Sequence, residues 1–223
     1  MPGCLSAAEC QAVIAHTEAL GYEDAPVTTG SGPVMMKDYR DNLRVMVQDE
    51  DTANSLFLRL AAFVPMTLDG MVAVGLNERF RYYKYQPGMY FQQHYDGAFF
   101  RNYSEYSKIT LLVNLNQGYL GGETAFYDRR LPGGTYLNQA QVGKAVLFKH
   151  RGWLHEGKRL EEGLKYLLRS DVMYRLPALQ DVQAWAGRHC GLCGADTEVQ
   201  TRKCSHAVVT CLCSRSDYCP YCR

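Results

Sequence analysis

The chain reads as α+β and mainly β, a β-sandwich or barrel preceded by supporting helices and followed by a small cysteine-rich module. Helical periodicity is confined to the first 65 residues, and from Glu78 onward it gives way to period-two strands separated by Gly-rich turns. Seven of the nine cysteines lie after residue 189. With 223 residues and 47% hydrophobic content, the chain can bury one full core and carry a small appendage. The expected division is a main domain over 1–178, a linker over 179–188 and a Cys/His module over 189–223.

Ser6 and Glu9 have the spacing of a capping box, and Cys10, Val13, Ile14 and Leu20 recur with helical period, so a first helix is predicted from Ala7 to Leu20, closed by Gly21. Tyr22 to Pro33, rich in Gly, Thr and Pro, reads as strand ends and loops. Arg40 to Val47 is predicted as one short strand, and a second amphipathic helix begins at Asp51, runs through Leu56, Leu60 and Phe63 and stops at Pro65. Beyond Glu78, Arg81, Tyr83 and Tyr85 alternate with Phe80 and Tyr82, and Gln86, Pro87 and Gly88 make a turn. The strand carrying His94 follows, then strands within Ile109–Asn116, Gly121–Asp128, Lys144–His150 and Lys165–Tyr174.

The formal net charge of +1 and the lack of a long basic run disfavour nucleic acid as a partner. No apolar run is long enough to cross a bilayer, and MPGCLSAAECQ lacks a basic start followed by an apolar stretch; the expectation is a soluble, intracellular protein of the cytoplasm or nucleus, with no membrane partner. Cys4 and Cys10 fall on or beside the first helix and read as buried or idle thiols.

The chemistry centres on YFQQHYDGAF, residues 90–99. In an extended strand residues i and i+2 share a face, so His94 and Asp96 set an imidazole beside a carboxylate. Non-haem iron(II) is held by two histidines and one carboxylate on one face of an octahedron. Either His150 or His155, which flank the turn RGWL, could supply the second imidazole; His155 is preferred because Glu156 and Gly157 follow it and Lys165 lies ten residues on. His16 lies in the first helix and reads as a surface or cap residue, and His189 adjoins the tail.

The ordered set RYYKYQPG, HYD, LLVNLN, GGETAFY, AVLF, HEG and GLKYLLRSDVMY resembles the 2-oxoglutarate and iron(II)-dependent dioxygenases, in their prolyl 4-hydroxylase-like branch, over most of the first 175 residues. The resemblance implies a double-stranded β-helix (jelly-roll) core. It implies His94, Asp96 and His155 as iron ligands, Lys165 as the partner of the far carboxylate of 2-oxoglutarate, and Tyr85 as a residue lining that pocket. Three protein ligands leave iron positions for 2-oxoglutarate and O2, and a carboxylate entering an apolar barrel requires a fixed cation. Arg169 is the rival cation, on the same strand face as Lys165 but roughly 13 Å away at about 3.3 Å per residue. Asn114 stands where many relatives place a tyrosine facing the same carboxylate, and its amide can still donate a hydrogen bond.

The implied activity is a hydroxylase: 2-oxoglutarate is decarboxylated to succinate and CO2 while a substrate C–H bond gains a hydroxyl, with ascorbate as an accessory reductant. Arg81 and Tyr83 share the face of Tyr85, and Phe99, Phe100, Arg101 and Tyr103 follow the HxD in a loop at the barrel mouth, which suits a peptide or protein substrate. The resemblance suggests peptidyl proline. Hydroxylation of a free amino acid or small metabolite is the alternative, and a non-catalytic protein with a degenerate barrel is a third reading.

In the tail, Cys190, Cys193, Cys204, His206, Cys211, Cys213, Cys219 and Cys222 supply eight candidate ligands, enough for two tetrahedral zinc sites that would stabilise the module. The opening CxxC, central CxH and closing CPYCR resemble the cross-braced RING type, with CxC replacing one CxxC. Such a module offers a site for a protein partner.

Overall fold

The computed structural model describes residues 1–177 and the backbone of 198–201 and 207–210. The candidate linker 179–188, His189 and all eight candidate zinc ligands lie outside the described residues. The chain divides into two compact units, one of residues 1–64 with 74–173 and the other of 65–73 with 174–223. In the second unit Tyr174 donates its hydroxyl hydrogen to the Pro65 carbonyl, and Glu198–Thr201 pairs antiparallel with Ala207–Thr210. His94, Asp96, His155, Lys165 and Arg169 all belong to the first unit.

The first helix spans Ala7–Leu20, as its pattern predicts. Glu9 N–H donates to Ser6 Oγ and the Glu9 carboxylate accepts from Ser6 N–H, completing the capping box, and Gly21 closes the helix at φ 84°. Cys10 is fully buried, and Cys4 and Cys10 are free thiols. The second helix is Glu50–Leu60, starting one residue earlier than expected because Asp49 caps it through Thr52 N–H at 2.9 Å, and Ala61–Phe63 follows as a 3-10 turn.

Two sheets face one another. The larger runs Glu23–Asp24, Leu43–Gln48, Arg79–Tyr85, Lys165–Arg175, Glu105–Asn114, Ala145–Lys149; the smaller runs Thr135–Asn138, Thr124–Tyr127, Leu154–Gly157, Tyr90–His94, Arg40–Asp41. The single strand expected over Arg40–Val47 is therefore two strands in different sheets. Asn42, 1% exposed, makes the corner: its Oδ1 accepts from Arg40 Nε at 2.7 Å, its Nδ2 donates to the Leu43 carbonyl at 2.9 Å and its carbonyl accepts from Ala25 N–H at 3.0 Å. A buried corner must satisfy its backbone polar groups, and Asn does so with its own amide.

Period-two alternation separates the two faces of the larger sheet. Tyr83 and Tyr85, Leu112, and Lys165, Leu167 and Arg169 line the space between the sheets, whereas Phe80, Tyr82, Leu111, Val113 and Leu168 are buried on the opposite face. On that outer face the first helix is held by Glu18, which pairs with Lys84 at 2.7 Å and accepts from the Tyr166 hydroxyl. Residues adjacent in sequence thus divide the work: Lys84 and Tyr166 secure the helix while Tyr85 and Lys165 face inward. No helix among the described residues is long and apolar enough to cross a membrane.

Candidate active site

His94 is the last residue of its strand and sits directly across the antiparallel register from His155. Asp96 lies just past the strand end rather than within it. The three side chains converge: Asp96 Oδ1 is 3.8 Å from His94 Nε2, Asp96 Oδ2 is 3.7 Å from His155 Nε2, and one ligand atom from each lies within 4.8 Å of the others. The Nδ1 of His94 is 2.7 Å from the Gln92 carbonyl and that of His155 is 3.1 Å from the Trp153 carbonyl. A carbonyl only accepts, so both imidazoles carry their hydrogen on Nδ1 and turn the Nε2 lone pair toward Asp96.

Phe91 stacks on His94 with centroids 3.7 Å apart, and Phe148 meets the His155 ring edge-on at 4.7 Å. Burial in these aromatic surroundings, together with the neighbouring His155, lowers His94 to about 4, and burial lowers His155 as well. Burial alone would raise the Asp96 carboxyl, but Arg169, the two histidines and the hydrogen bond from Thr110 hold it well below the usual carboxylate range. Two neutral imidazoles and an ionised carboxylate with converging lone pairs are the donor set that suits iron(II).

Asp96 is fixed from the larger sheet. Arg169 Nη1 lies 2.8 Å from its Oδ1, and the Thr110 hydroxyl donates to its Oδ2 at 2.6 Å. With the Thr110 hydrogen so engaged, His150 Nδ1–H donates to Thr110 Oγ1 at 2.9 Å, leaving His150 Nε2 to accept from Ser107 Oγ at 2.8 Å, and Ser107 Oγ in turn accepts from Phe99 N–H. His150 is 4% exposed and stands behind Thr110, outside the triad. The structure thus brings together His94, Asp96 and His155, and gives His150 a different place.

Lys165 is 1% exposed at the inner end of a narrow cleft that begins at the triad and is flanked by Tyr85 and Thr124. Its ammonium donates to the Gly122 carbonyl at 2.6 Å and lies 4.8 Å from the Tyr85 ring centre. Gly122 has φ 67°, and a Cβ there would sit 2.8 Å from Leu160 Cδ1, so glycine is what lets that carbonyl reach the lysine. No carboxylate pairs with Lys165 among the described residues, and burial pulls its ammonium down to about 7, with Glu123 opposing. A buried cation at the end of a cleft leading to a metal triad fits the far carboxylate of 2-oxoglutarate.

Arg169, by contrast, is engaged with Asp96 and reaches Asp171 at 3.5 Å. Asn114 is buried one alternation beyond Leu112, and its side chain does not line the cleft. Arg81 pairs with Asp171 at 2.9 Å, and Phe99 lines a second, larger cavity that also borders His94 and Asp96, while Phe100 and Tyr103 are exposed. Arg101 turns away to Glu78 and Glu105.

No family model matches the chain, and no curated protein matches it. Solved structures do. The viral collagen prolyl hydroxylase of Paramecium bursaria Chlorella virus-1, solved as a 2OG complex, superposes with a TM-score of 0.53 at 19% identity, covering 78% of this chain and 94% of its own. A Pseudomonas putida prolyl-4-hydroxylase gives 0.56 at 16% identity over 80% and 91%. The chain has the fold of these hydroxylases. A prolyl hydroxylase of Trichoplax adhaerens, in complex with a hypoxia inducible factor oxygen degradation domain peptide fragment, gives 0.56 at 15% identity over 76% and 78%.

The sequence pattern did not single out Thr110, Ser107, Asp171, Arg40 or Arg44. Thr110 shares its strand face with Tyr106, Lys108, Leu112 and Asn114, a mixed face on which one more polar side chain gives no signal of its own.

Proposed function

We propose that this protein is an iron(II)- and 2-oxoglutarate-dependent dioxygenase that hydroxylates a C–H bond of a peptide substrate, with peptidyl proline as the target residue. The observation that carries the proposal is one continuous cleft with two Nδ1-protonated histidines and an ionised Asp96 at one end and an unpaired buried Lys165 at the other. The peptide assignment draws support from the shared fold and from the peptide bound to the Trichoplax enzyme.

In this reading His94, Asp96 and His155 hold the metal, and Lys165 takes the far carboxylate of 2-oxoglutarate. When bound, iron, 2-oxoglutarate and O2 supply the oxidation: the cosubstrate leaves as succinate and CO2, and one oxygen atom enters the substrate. The residues of the chain orient and exclude. The Gln92 and Trp153 carbonyls lock both imidazoles in the tautomer that presents Nε2. Thr110 and Arg169 each occupy one oxygen of Asp96, which limits its rotation. Phe91, Phe148 and Leu112 keep the walls of the centre apolar, so water is displaced as substrate arrives. Tyr85, its phenol raised by burial, stays neutral beside Lys165 and can donate to the same carboxylate.

The test is succinate release against a peptide library, with mass spectrometry for a gain of about 16 Da, one oxygen atom. His94→Ala and His155→Ala are each expected to abolish succinate production; turnover retained by either would sink the iron assignment. Ascorbate belongs to this reading as the accessory reductant. For the tail, we propose two zinc ions held by Cys190, Cys193, Cys204, His206, Cys211, Cys213, Cys219 and Cys222, forming a module that recruits a protein partner.

A further inference from the structure

A second cavity, about 410 Å³ in volume, opens on the same centre from the side of His94 and Asp96, within the usual size of ligand clefts, roughly 300–1,000 Å³. Five arginines line it: Arg40, Arg44, Arg79, Arg81 and Arg169. Asp96 and Asp171 are the carboxylates that reach them, and both are spent on Arg81 and Arg169. Arg40, Arg44 and Arg79 have no carboxylate partner among the described residues; Glu23, although opposite Arg44 in register, makes no ion pair with it.

Arg40 is the sharpest case. Only 7% exposed, it donates Nε to Asn42 Oδ1 and Nη1 to the Pro26 carbonyl at 3.4 Å, lies against the rings of Tyr83 and Phe91, and keeps a buried Nη2 with no hydrogen-bond partner. Arg44 is half-buried and Arg79 exposed at the rim, whereas the buried, incompletely paired guanidinium of Arg40 costs several kcal/mol, and the three like charges repel. The field of these charges reaches the neighbouring groups. Burial, with Arg40, Arg81 and Arg79 nearby, lowers Arg44, and although burial would raise the Tyr83 phenol, Arg40, Arg169 and Arg81 hold it below its ordinary value. Such an arrangement is stabilised by an incoming anion.

We infer that this cavity receives carboxylate-bearing residues of the peptide substrate, so that the C–H bond presented to the metal lies next to acidic side chains. The inference rests on the dioxygenase reading and adds a substrate class to it. In the dioxygenase reading the inner cleft, with Lys165 in its lining, is taken by 2-oxoglutarate, which leaves the outer arginines to the acidic side chains of the substrate. A nucleic-acid backbone is the weaker fit: phosphate binding spreads cations along an open track, whereas here they converge in one concavity of a chain whose net charge is +1.

The experiment uses the full chain, anaerobic, with iron(II) and saturating 2-oxoglutarate so that the inner cleft is filled. Fluorescein-labelled Gly-Glu-Pro-Asp-Gly and its neutral counterpart Gly-Gln-Pro-Asn-Gly are compared by fluorescence anisotropy. At least tenfold tighter binding of the acidic peptide is expected, with the difference shrinking as salt rises. Arg44→Gln and Arg79→Gln should each reduce the preference, with thermal unfolding run alongside to show that each variant is folded. Equal affinity for the two peptides overturns the inference. The visible charge-transfer band of the iron–2-oxoglutarate complex separates the two failures: its absence sinks the dioxygenase reading, while its presence with equal affinities sinks the anionic-substrate inference alone. Displacement of the peptide by equimolar N-acetylglutamate would keep the carboxylate but overturn the peptide, and preferential displacement by a single-stranded oligonucleotide would overturn both.

Discussion

Lys165 should couple cosubstrate binding to proton uptake. Its ammonium is fully enclosed, bonded to one carbonyl and unpaired by any carboxylate among the described residues, so burial brings it down to about 7. At pH 8 about nine-tenths of Lys165 is then neutral before 2-oxoglutarate arrives. A carboxylate within hydrogen-bond reach favours the charged form and raises that value. Binding at pH 8 is therefore expected to take up about 0.9 proton per cosubstrate, and the apparent Kd should rise about tenfold per pH unit above 7. Anaerobic calorimetry in buffers of different ionisation enthalpy measures the uptake directly. Lys165→Met should remove the uptake and weaken binding roughly 10- to 150-fold, the worth of one hydrogen bond to a charged group. Cosubstrate binding without proton exchange in the wild-type protein, or an unchanged pH profile in Lys165→Met, would refute the reasoning and move the role to another cation. The same depressed value sets the sign for stability. Between pH 7 and 10.5 the unfolded chain binds the proton that the folded one has lost, so the cosubstrate-free protein should become more stable as pH rises through that window, by at most about 5 kcal/mol from this group.

Thr110→Val removes the hydroxyl that donates to Asp96 while keeping the side-chain shape, and iron affinity, measured by competition with a chelator, should fall roughly 10- to 100-fold. Thr110→Ser should restore most of it, an outcome a purely structural role would not give. Leu111 is fully buried on the outer face of the larger sheet, and Leu111→Ala should cost about 2–5 kcal/mol in urea unfolding. Metal analysis of the purified chain should return about one iron and two zinc ions per molecule, with Cys190→Ser lowering the zinc content and leaving the iron unchanged.

The strand pattern, both helices and the triad could be read from the sequence because each depends on local spacing: the period-two run from Glu78, the capping box at Ser6, the two-residue interval from His94 to Asp96. Even the preference for His155 followed from its interval to Lys165. What escaped depends on register between distant strands. Thr110 meets His150 because Glu105–Asn114 lies antiparallel to Ala145–Lys149, and nothing near either residue announces the encounter. The arginine cavity is similar: Arg44 pairs in register with Tyr83, and Arg81 with Arg169. Like charges opposite one another destabilise a sheet, and Asp171, two residues along from Arg169, is what holds that pair together. The break at Asn42 was hidden for a different reason. Asp41 and Asn42 are turn formers inside an otherwise strand-like run from Arg40 to Val47, too short a signal to show that the chain changes sheet there, and the corner is made by a side chain standing in for backbone partners.

The position of Lys165–Arg175 also bears on how the chain is made. It is the last strand of the larger sheet in sequence and a central one in space, between Arg79–Tyr85 and Glu105–Asn114. During synthesis those two neighbours wait with unpaired edges until it emerges, a long-range closure of the kind that slows folding and exposes nascent chains to aggregation. Lys165 and Arg169 arrive with it. A nascent chain halted before residue 165 would thus carry His94, Asp96 and His155 without Lys165, the cation proposed to take the far carboxylate of the cosubstrate.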